Sequence, residues 1–369
     1  MRIVHISSGL WKKSGGPAES VPLLLSELSK HQDVSIALVT LTGELSDNVT
    51  GLFNSNVDVH ILNYRYYPWV SYLFALPAII RDADIVHIQG IWLPELWIAN
   101  IVSHYYRKKV IISPRGFLHP NRLRVSKQKK KIAGFLLDKN FLNKARAIHV
   151  TSSQEKENVL RYGIGAECFN IRNGVNLVSR QIDTSQKFAN KTILYFGRLN
   201  PIKGIKELMQ GFDDWSNSDS WRLLICGPDE NNFKTELLHF AKSLKSADNI
   251  VFKPPVYGED KQKIFDSSTV MALVSHGENF GISVAESLMN KTPVLVSPHM
   301  PWDDVVNKSC GWLAEVNAKS ITRAFTKVNS LDLDTYTMYC QNGQEWMKNG
   351  FTWKQIGKEF KKEYERLLR

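Results

Sequence analysis

The chain has 369 residues, 43% apolar and 22% charged, a composition that excludes a disordered or fibrous protein. This length exceeds what one hydrophobic core supports, so two domains are expected. The net charge of +11 sits almost wholly in the first half, where residues 107–146 carry 13 basic residues and one acid, Asp138; such an asymmetry points to an anionic partner facing that half.

The chain enters a buried-strand pattern at 2–7 with no signal-peptide pattern before it, so a cytoplasmic location is expected. No window reaches the roughly 18 uninterrupted apolar residues of a spanning helix. The nearest, 66–80, is too short and contains Pro68 and Pro77. Cys168, Cys226, Cys310 and Cys340 fit no metal-ligand spacing and read as reduced structural thiols.

Short apolar runs alternate with amphipathic stretches throughout, the pattern of parallel α/β units. In the first half, strands are expected at 2–7, 34–40, 57–62, 85–88, 110–113, 147–150 and 168–171, with helices at 18–30, 94–107 and 154–162. A polar stretch after Asn173-Gly174 suits a linker. The second series runs strand 192–196, helix 204–212, strand 222–226, helix 233–243, strand 250–252, helix 260–266, strand 270–274, helix 282–289 and strand 293–296. The terminal segment 351–369 carries an apolar stripe that needs a surface to cover. Domains are therefore expected at 1–175 and 187–345, with 351–369 as a separate helix. Two Rossmann-like halves in tandem create a cleft at the carboxyl ends of both sheets.

Three constellations carry chemistry. In residues 276–295, HGENFGISVAESLMNKTPVL, Glu278 precedes a helix opening near Gly281, and Glu286 lies about a turn inside, roughly 6 Å along its axis. Asn279, Phe280 and Gly281 offer amides at that helix start, suited to anions and sugar oxygens. In isolation, Glu278 reads equally as a capping acid and Glu286 as a solvated helix residue. In FGRLNPIKG, 196–204, Arg198 and Lys203 suit two linked phosphates, where fixed cations offset charge on a departing diphosphate; surface cations are the alternative. In SSGLWKKSGGPAES, Gly15 and Gly16 permit close backbone approach and Pro17 suits a helix start, as they would in a plain tight turn. No GxGxxG follows a strand, which disfavours NAD or FAD.

Together these motifs resemble the GT-B glycosyltransferases of family 4. The match also takes in DIVHIQGIW at 84–92, SPRG at 113–116, RNGV at 172–175 and the tryptophan-bearing terminal helix. The resemblance implies two Rossmann-like domains facing each other across a cleft, with the terminal helix crossing back to the first. It implies retaining transfer of a hexose from a UDP- or GDP-sugar without a metal or other cofactor. Glu286 is then expected on the ribose, and Glu278 with the 279–281 amides on the donor sugar. Arg198 and Lys203 are expected on the diphosphate, approached from the first domain by Gly15 and Gly16. Glu278, Arg198 and Lys203 are the expected catalytic groups.

Relatives carry histidine where this chain has Arg115, which suits a phosphate or sugar oxygen. His119 reads either as a stand-in for that histidine or as a packing histidine, and Trp92 is the third candidate for the acceptor or sugar site. Asp82/Asp84 and Asp332/Asp334 read as strand-flanking and helix-start acids rather than a metal pair.

The expected partners are a nucleotide sugar, a glycan or lipid-linked acceptor in surface polysaccharide or lipopolysaccharide (O-antigen) assembly, and an anionic membrane contacted through 107–146. The protein is then peripheral on the inner face of the cell membrane. Nucleic acid is not expected, since no reading module accompanies the charge. Two other readings stand beside this one: a sugar-nucleotide epimerase, and a basic lipid- or nucleic-acid-binding protein with a non-catalytic cleft.

Overall fold

The computed structural model describes residues 1–12, 15–63, 67–120 and 137–369. The chain divides into two compact units, Met1–Gly174 with Trp353–Arg369, and Val175–Thr352.

The first unit is built on seven parallel strands, β1 (Arg2–Ser7), β2 (Ser35–Leu41), β3 (Val57–Leu62), β4 (Ile85–Gln89), β5 (Lys109–Ser113), β6 (Ala147–Val150) and β7 (Cys168–Asn170), in the order β3-β2-β1-β4-β5-β6-β7. The central strands are buried on both faces because helices cover both. Ile3, Ile85, Ile111 and Ala147 face helix Gly16–Leu28 and the terminal helix Trp353–Leu368. Val4, Val86, Ile112 and Ile148 face helices Pro68–Ile80 and Pro94–Tyr105. The terminal stripe thus finds its surface: Trp353, Ile356, Phe360, Tyr364 and Leu367 are all buried in the first unit.

The second unit holds six parallel strands, β8 (Thr192–Phe196), β9 (Arg222–Cys226), β10 (Ile250–Lys253), β11 (Val270–Leu273), β12 (Val294–Val296) and β13 (Gly311–Leu313), in the order β10-β9-β8-β11-β12-β13. In both sheets the strand order reverses beside the first strand, at β1/β4 and at β8/β11. Ligands of such sheets bind outside the carboxyl ends at this switch point.

Several elements depart from the sequence reading. The stretch taken for a linker folds into the second unit and contains helix Thr184–Ala189. Arg180 pairs with Asp266 through Nη2 at 2.7 Å and Nε at 3.1 Å, and reaches Asn290 Oδ1 at 2.8 Å. Lys187 is 1% exposed and donates to the carbonyls of Phe265 (2.7 Å) and Asn290 (2.9 Å). Those contacts tie the segment down. Pro68 opens a 13-residue helix, Pro68–Ile80, in the apolar stretch whose sequence pattern points to no element. Helices Ala318–Asn329 and Leu333–Gly350 and strand β13 were also not anticipated. Asp332 is an N-cap, accepting from Thr335 N at 2.8 Å, and Asp84 accepts from Arg2 N at 2.8 Å. Among the described residues no helix is long and apolar enough to cross a membrane.

Candidate active site

The second unit brings Arg198, Lys203 and Glu278 together at the β8/β11 switch point. Beyond β8 the chain turns sharply against the loop after β9. Gly227 has φ +153°, and a Cβ there would lie 1.9 Å from Gly197 O. Leu199 N donates to Pro228 O at 2.8 Å, and Glu230 N returns a bond to Leu199 O at 3.2 Å. This zipper sets Arg198 beside Glu230, with Nη1 to Oε2 at 2.8 Å.

Asn200 then caps a short turn, Pro201–Lys203, accepting from Ile202 N at 3.0 Å. Gly204 has φ +64°, and a Cβ there would lie 2.2 Å from Val274 O. His276 N donates to Ile202 O at 2.8 Å, which stitches this turn to the loop after β11. Lys203, 7% exposed, therefore meets Glu278 directly and donates to its Oε2. Burial alone would raise the Glu278 carboxyl, but the Lys203 ammonium, the Asn279 amide and the Arg198 charge outweigh it and hold it below its ordinary value.

Gly281, with φ +77°, caps helix Ile282–Met289. The Phe280 ring is buried against Trp302 and Phe351, with centroids at 5.2 and 6.3 Å, and the Trp302 indole N–H donates to Phe280 O. Phe280 thus fixes the loop from below and offers a ligand only its main chain. Inside the helix, Glu286 accepts from Lys261 Nζ at 2.6 Å, and both side chains are 18% exposed. Lys261 Nζ also lies 5.7 Å from the Phe196 ring centroid, which ties this pair to the end of β8. Glu286 is therefore not a solvated helix residue.

Sequence reasoning missed Glu230 and Lys261. Glu230 follows Gly227-Pro228 at the end of a strand, a signal that marks the carboxyl edge. Lys261 lies on helix Gly258–Asp266 among ordinary surface charges, and only the fold brings it to Glu286. Among the described residues no group of three or more His, Cys, Asp or Glu is placed to hold a metal ion.

In the first unit, the loops after β1, β4 and β5 lie at the carboxyl ends of three neighbouring strands. Gly15, with φ +74°, caps helix Gly16–Leu28, and a Cβ at Gly16 would meet nothing within 4 Å. Arg115 adopts φ +55° and is aimed by Gln89, whose Oε1 accepts from Nε at 2.9 Å and from Nη2 at 2.6 Å. Glu155 pins the same turn, accepting from Gly116 N at 2.7 Å. Trp92, with φ +70°, packs edge-on against Phe117 at 5.7 Å, so it borders the Arg115 turn. His119 closes that turn, with its N–H on Gly116 O at 3.2 Å. Asp138 accepts from Trp92 N at 3.2 Å and from Trp97 Nε1 at 3.1 Å; burial pushes its carboxyl up to about 6.

Paired fixed cations beside two carboxylates, at the switch point of a parallel sheet, suit a molecule carrying both linked phosphates and hydroxyls. Residues 180–346 match the group 1 glycosyl transferases, and residues 14–178 match glycosyltransferase family 4. The protein is a glycosyltransferase. It belongs to family 4 of the GT-B glycosyltransferases. It is 22% identical to a GDP-mannose:cellobiosyl-diphosphopolyprenol alpha-mannosyltransferase of Xanthomonas campestris, over 90% of this chain and 88% of that one. Among solved structures it shares the fold of HepE from Anabaena in complex with UDP and glucose, with TM-score 0.81, 15% identity and 99% and 100% of the two chains covered. It is likewise similar to sucrose-phosphate synthase from Thermosynechococcus elongatus, with TM-score 0.79, 17% identity and 100% and 99% coverage.

Proposed function

We propose that the protein moves a hexose from a UDP- or GDP-sugar, with retention and without a metal, to a glycan or lipid-linked acceptor of surface polysaccharide or lipopolysaccharide assembly. The observation that carries this reading is the direct Lys203–Glu278 pair at the switch point, with the Arg198 charge acting on Glu278 and the Glu286–Lys261 pair set against Phe196 at the end of β8. In this scheme Arg198 and Lys203 hold the diphosphate, Glu286 accepts from ribose hydroxyls, and Glu278 with the 279–281 amides holds the sugar. In the first unit, the open space over Gly16 supports a close ligand at that helix start. The C1–O bond to phosphate breaks while the acceptor oxygen bonds C1 on the same face. The acceptor proton passes to the leaving phosphate, whose growing charge the two cations stabilise.

The Xanthomonas relative is named for a diphosphopolyprenol acceptor, which supports a lipid-linked acceptor here. Arg115 is then the group for an anionic or sugar oxygen of the substrate, bordered by Trp92 and His119. The basic residues 107–146 would meet an anionic membrane on its inner face; of these, 121–136 lie outside the described residues. Exposed Trp69, Phe74 and Tyr105 on helices Pro68–Ile80 and Pro94–Tyr105 supply apolar contact to the same unit.

A screen of UDP- and GDP-hexoses with cellobiosyl-diphosphopolyprenol and related acceptors, with and without EDTA, tests this reading. Transfer that survives EDTA and yields the donor's own anomeric configuration is expected. An inverted product, or activity abolished by EDTA, contradicts it.

A further inference from the structure

One line of polar side chains runs through the interior of the first unit and ends at Arg115. Gln89 Nε2 lies 3.1 Å from His5 Nδ1, and His5 Nε2 lies 3.2 Å from the Tyr364 hydroxyl. That hydroxyl is 2.7 Å from His87 Nδ1, and His87 Nε2 is 2.7 Å from Ser113 Oγ. Ser113 Oγ is 2.7 Å from His149 Nδ1, and His149 Nε2 is 2.9 Å from Ile171 O. His5, His87 and Ser113 are wholly buried, on the sheet face covered by the terminal helix.

The two ends dictate every proton between them. A guanidinium only donates, so Gln89 turns its oxygen to Arg115 and its NH2 to His5 Nδ1. His5 then carries its proton on Nε2 and gives it to Tyr364. At the other end a carbonyl only accepts, so His149 carries its proton on Nε2 and accepts at Nδ1 from Ser113. Ser113 in turn accepts from His87 Nε2–H, leaving His87 Nδ1 to accept from Tyr364. Both lines meet at one hydroxyl that accepts from His5 and donates to His87. A single proton arrangement satisfies all the links, and chains of this kind stiffen one another.

We propose that Tyr364, on the terminal helix, is a positioning residue for sugar transfer: through His5 and Gln89 it fixes the Arg115 guanidinium in the orientation that meets an anionic group of the substrate. This rests on the reading of Arg115 given above. Without the Tyr364 hydroxyl, His5 Nε2–H loses its acceptor, and the Nδ1–H tautomer is favoured. That tautomer donates toward Gln89, whose amide must turn round and face its NH2 to Arg115. The two bonds to Gln89 are then lost, and the guanidinium pivots on its remaining contact, Nη1 to Asn173 Oδ1 at 3.3 Å.

The test compares Tyr364→Phe, Arg115→Ala and the double variant with the donor–acceptor pair active in the screen above, varying donor and acceptor separately. Tyr364→Phe is expected to raise KM about tenfold for the one substrate, donor or acceptor, whose KM Arg115→Ala also raises, with kcat within about twofold. That effect is expected to vanish in the Arg115→Ala background, because the two changes break one line. An equal effect of Tyr364→Phe in both backgrounds, or none in either, overturns the proposal. Gln89→Met, which cuts the line beside Arg115 and away from the helix, must reproduce the same KM rise. Imidazole 15N spectra read the relay independently of turnover: His5 is expected to pass from Nε2–H to Nδ1–H in Tyr364→Phe. An unchanged His5 tautomer overturns the relay itself. A changed tautomer with normal kinetics in Arg115→Ala overturns instead the substrate role of Arg115.

Discussion

Lys203 donates a hydrogen bond to Glu278 across the β8/β11 switch point, with Lys203 7% exposed and the Glu278 side chain 20% exposed. Removing one member leaves the other charge buried without its partner. Lys203→Met is expected to cost about 3 kcal/mol, near the lower end of the range for broken buried pairs, as read by urea unfolding.

The pair also fixes a pH dependence. The Glu278 carboxyl is held below its ordinary 4.5, so the unfolded state binds a proton that the folded state does not. Its stabilisation is present above the unfolded value and is lost as pH falls through the folded one. The stability difference between the wild type and Glu278→Gln is therefore expected to be constant at pH 6–8 and to shrink below about pH 4.5. Unfolding midpoints across that range provide the check.

Arg198 is held by Glu230 with each side chain about one-third exposed. Glu230→Gln is expected to change stability by less than about 1 kcal/mol. Arg198→Ala is expected to lower kcat by about 10²–10³, the loss typical of one electrostatic donor to a developing charge. Parallel kinetics and denaturation on the two variants separate these roles.

Lys187 gives a second window, alkaline this time, in which stability rises with pH. Burial pulls its ammonium down to about 8, with Asp266 opposing. The unfolded chain therefore binds the extra proton between about pH 8 and 10.5, and stability rises through that window. Wild type relative to Lys187→Met is expected to gain up to about 3 kcal/mol there, measured by denaturant midpoints at pH 7.5 and 10.

The glycines divide by what surrounds them. Gly204→Ala places a Cβ against Val274 O, 2.2 Å away, at a left-handed φ, and is expected to destabilise the second unit by several kcal/mol, about 3 or more. Gly16→Ala meets open space and is expected to keep its melting temperature while weakening nucleotide-sugar binding. Calorimetry of both variants decides it.

The frame of both sheets was legible because central strands such as Ile85–Gln89 and Arg222–Cys226 are apolar runs bounded by turns. Arg198, Lys203 and Glu278 stand out in the sequence because each follows such a run within a few residues, whereas Glu286 lies inside helix Ile282–Met289 and stands out through its spacing from Glu278. Helix Leu333–Gly350 was not, since its buried stripe is Tyr336, Cys340, Gly343, Gln344 and Met347 rather than aliphatics. The 176–191 stretch reads as a linker because Arg180 and Lys187 look solvent-loving until Asp266 and the Asn290 carbonyl are brought to them. The pairing of Glu230 with Arg198, of Lys261 with Glu286, and of Tyr364 with His87 spans 32, 25 and 277 residues. No local period encodes a partner at such a separation.

The central claim is that Arg198, Lys203 and Glu286 grip one nucleoside diphosphate. Melting curves with UDP and with GDP test it most directly on wild type, Arg198→Ala and Glu286→Ala. One of the two nucleotides is expected to stabilise wild type by about 2.7 kcal/mol at a hundredfold excess over its Kd, with the shift largely lost in both variants. No shift in wild type with either nucleotide, or an equal shift in all three proteins, would contradict the account.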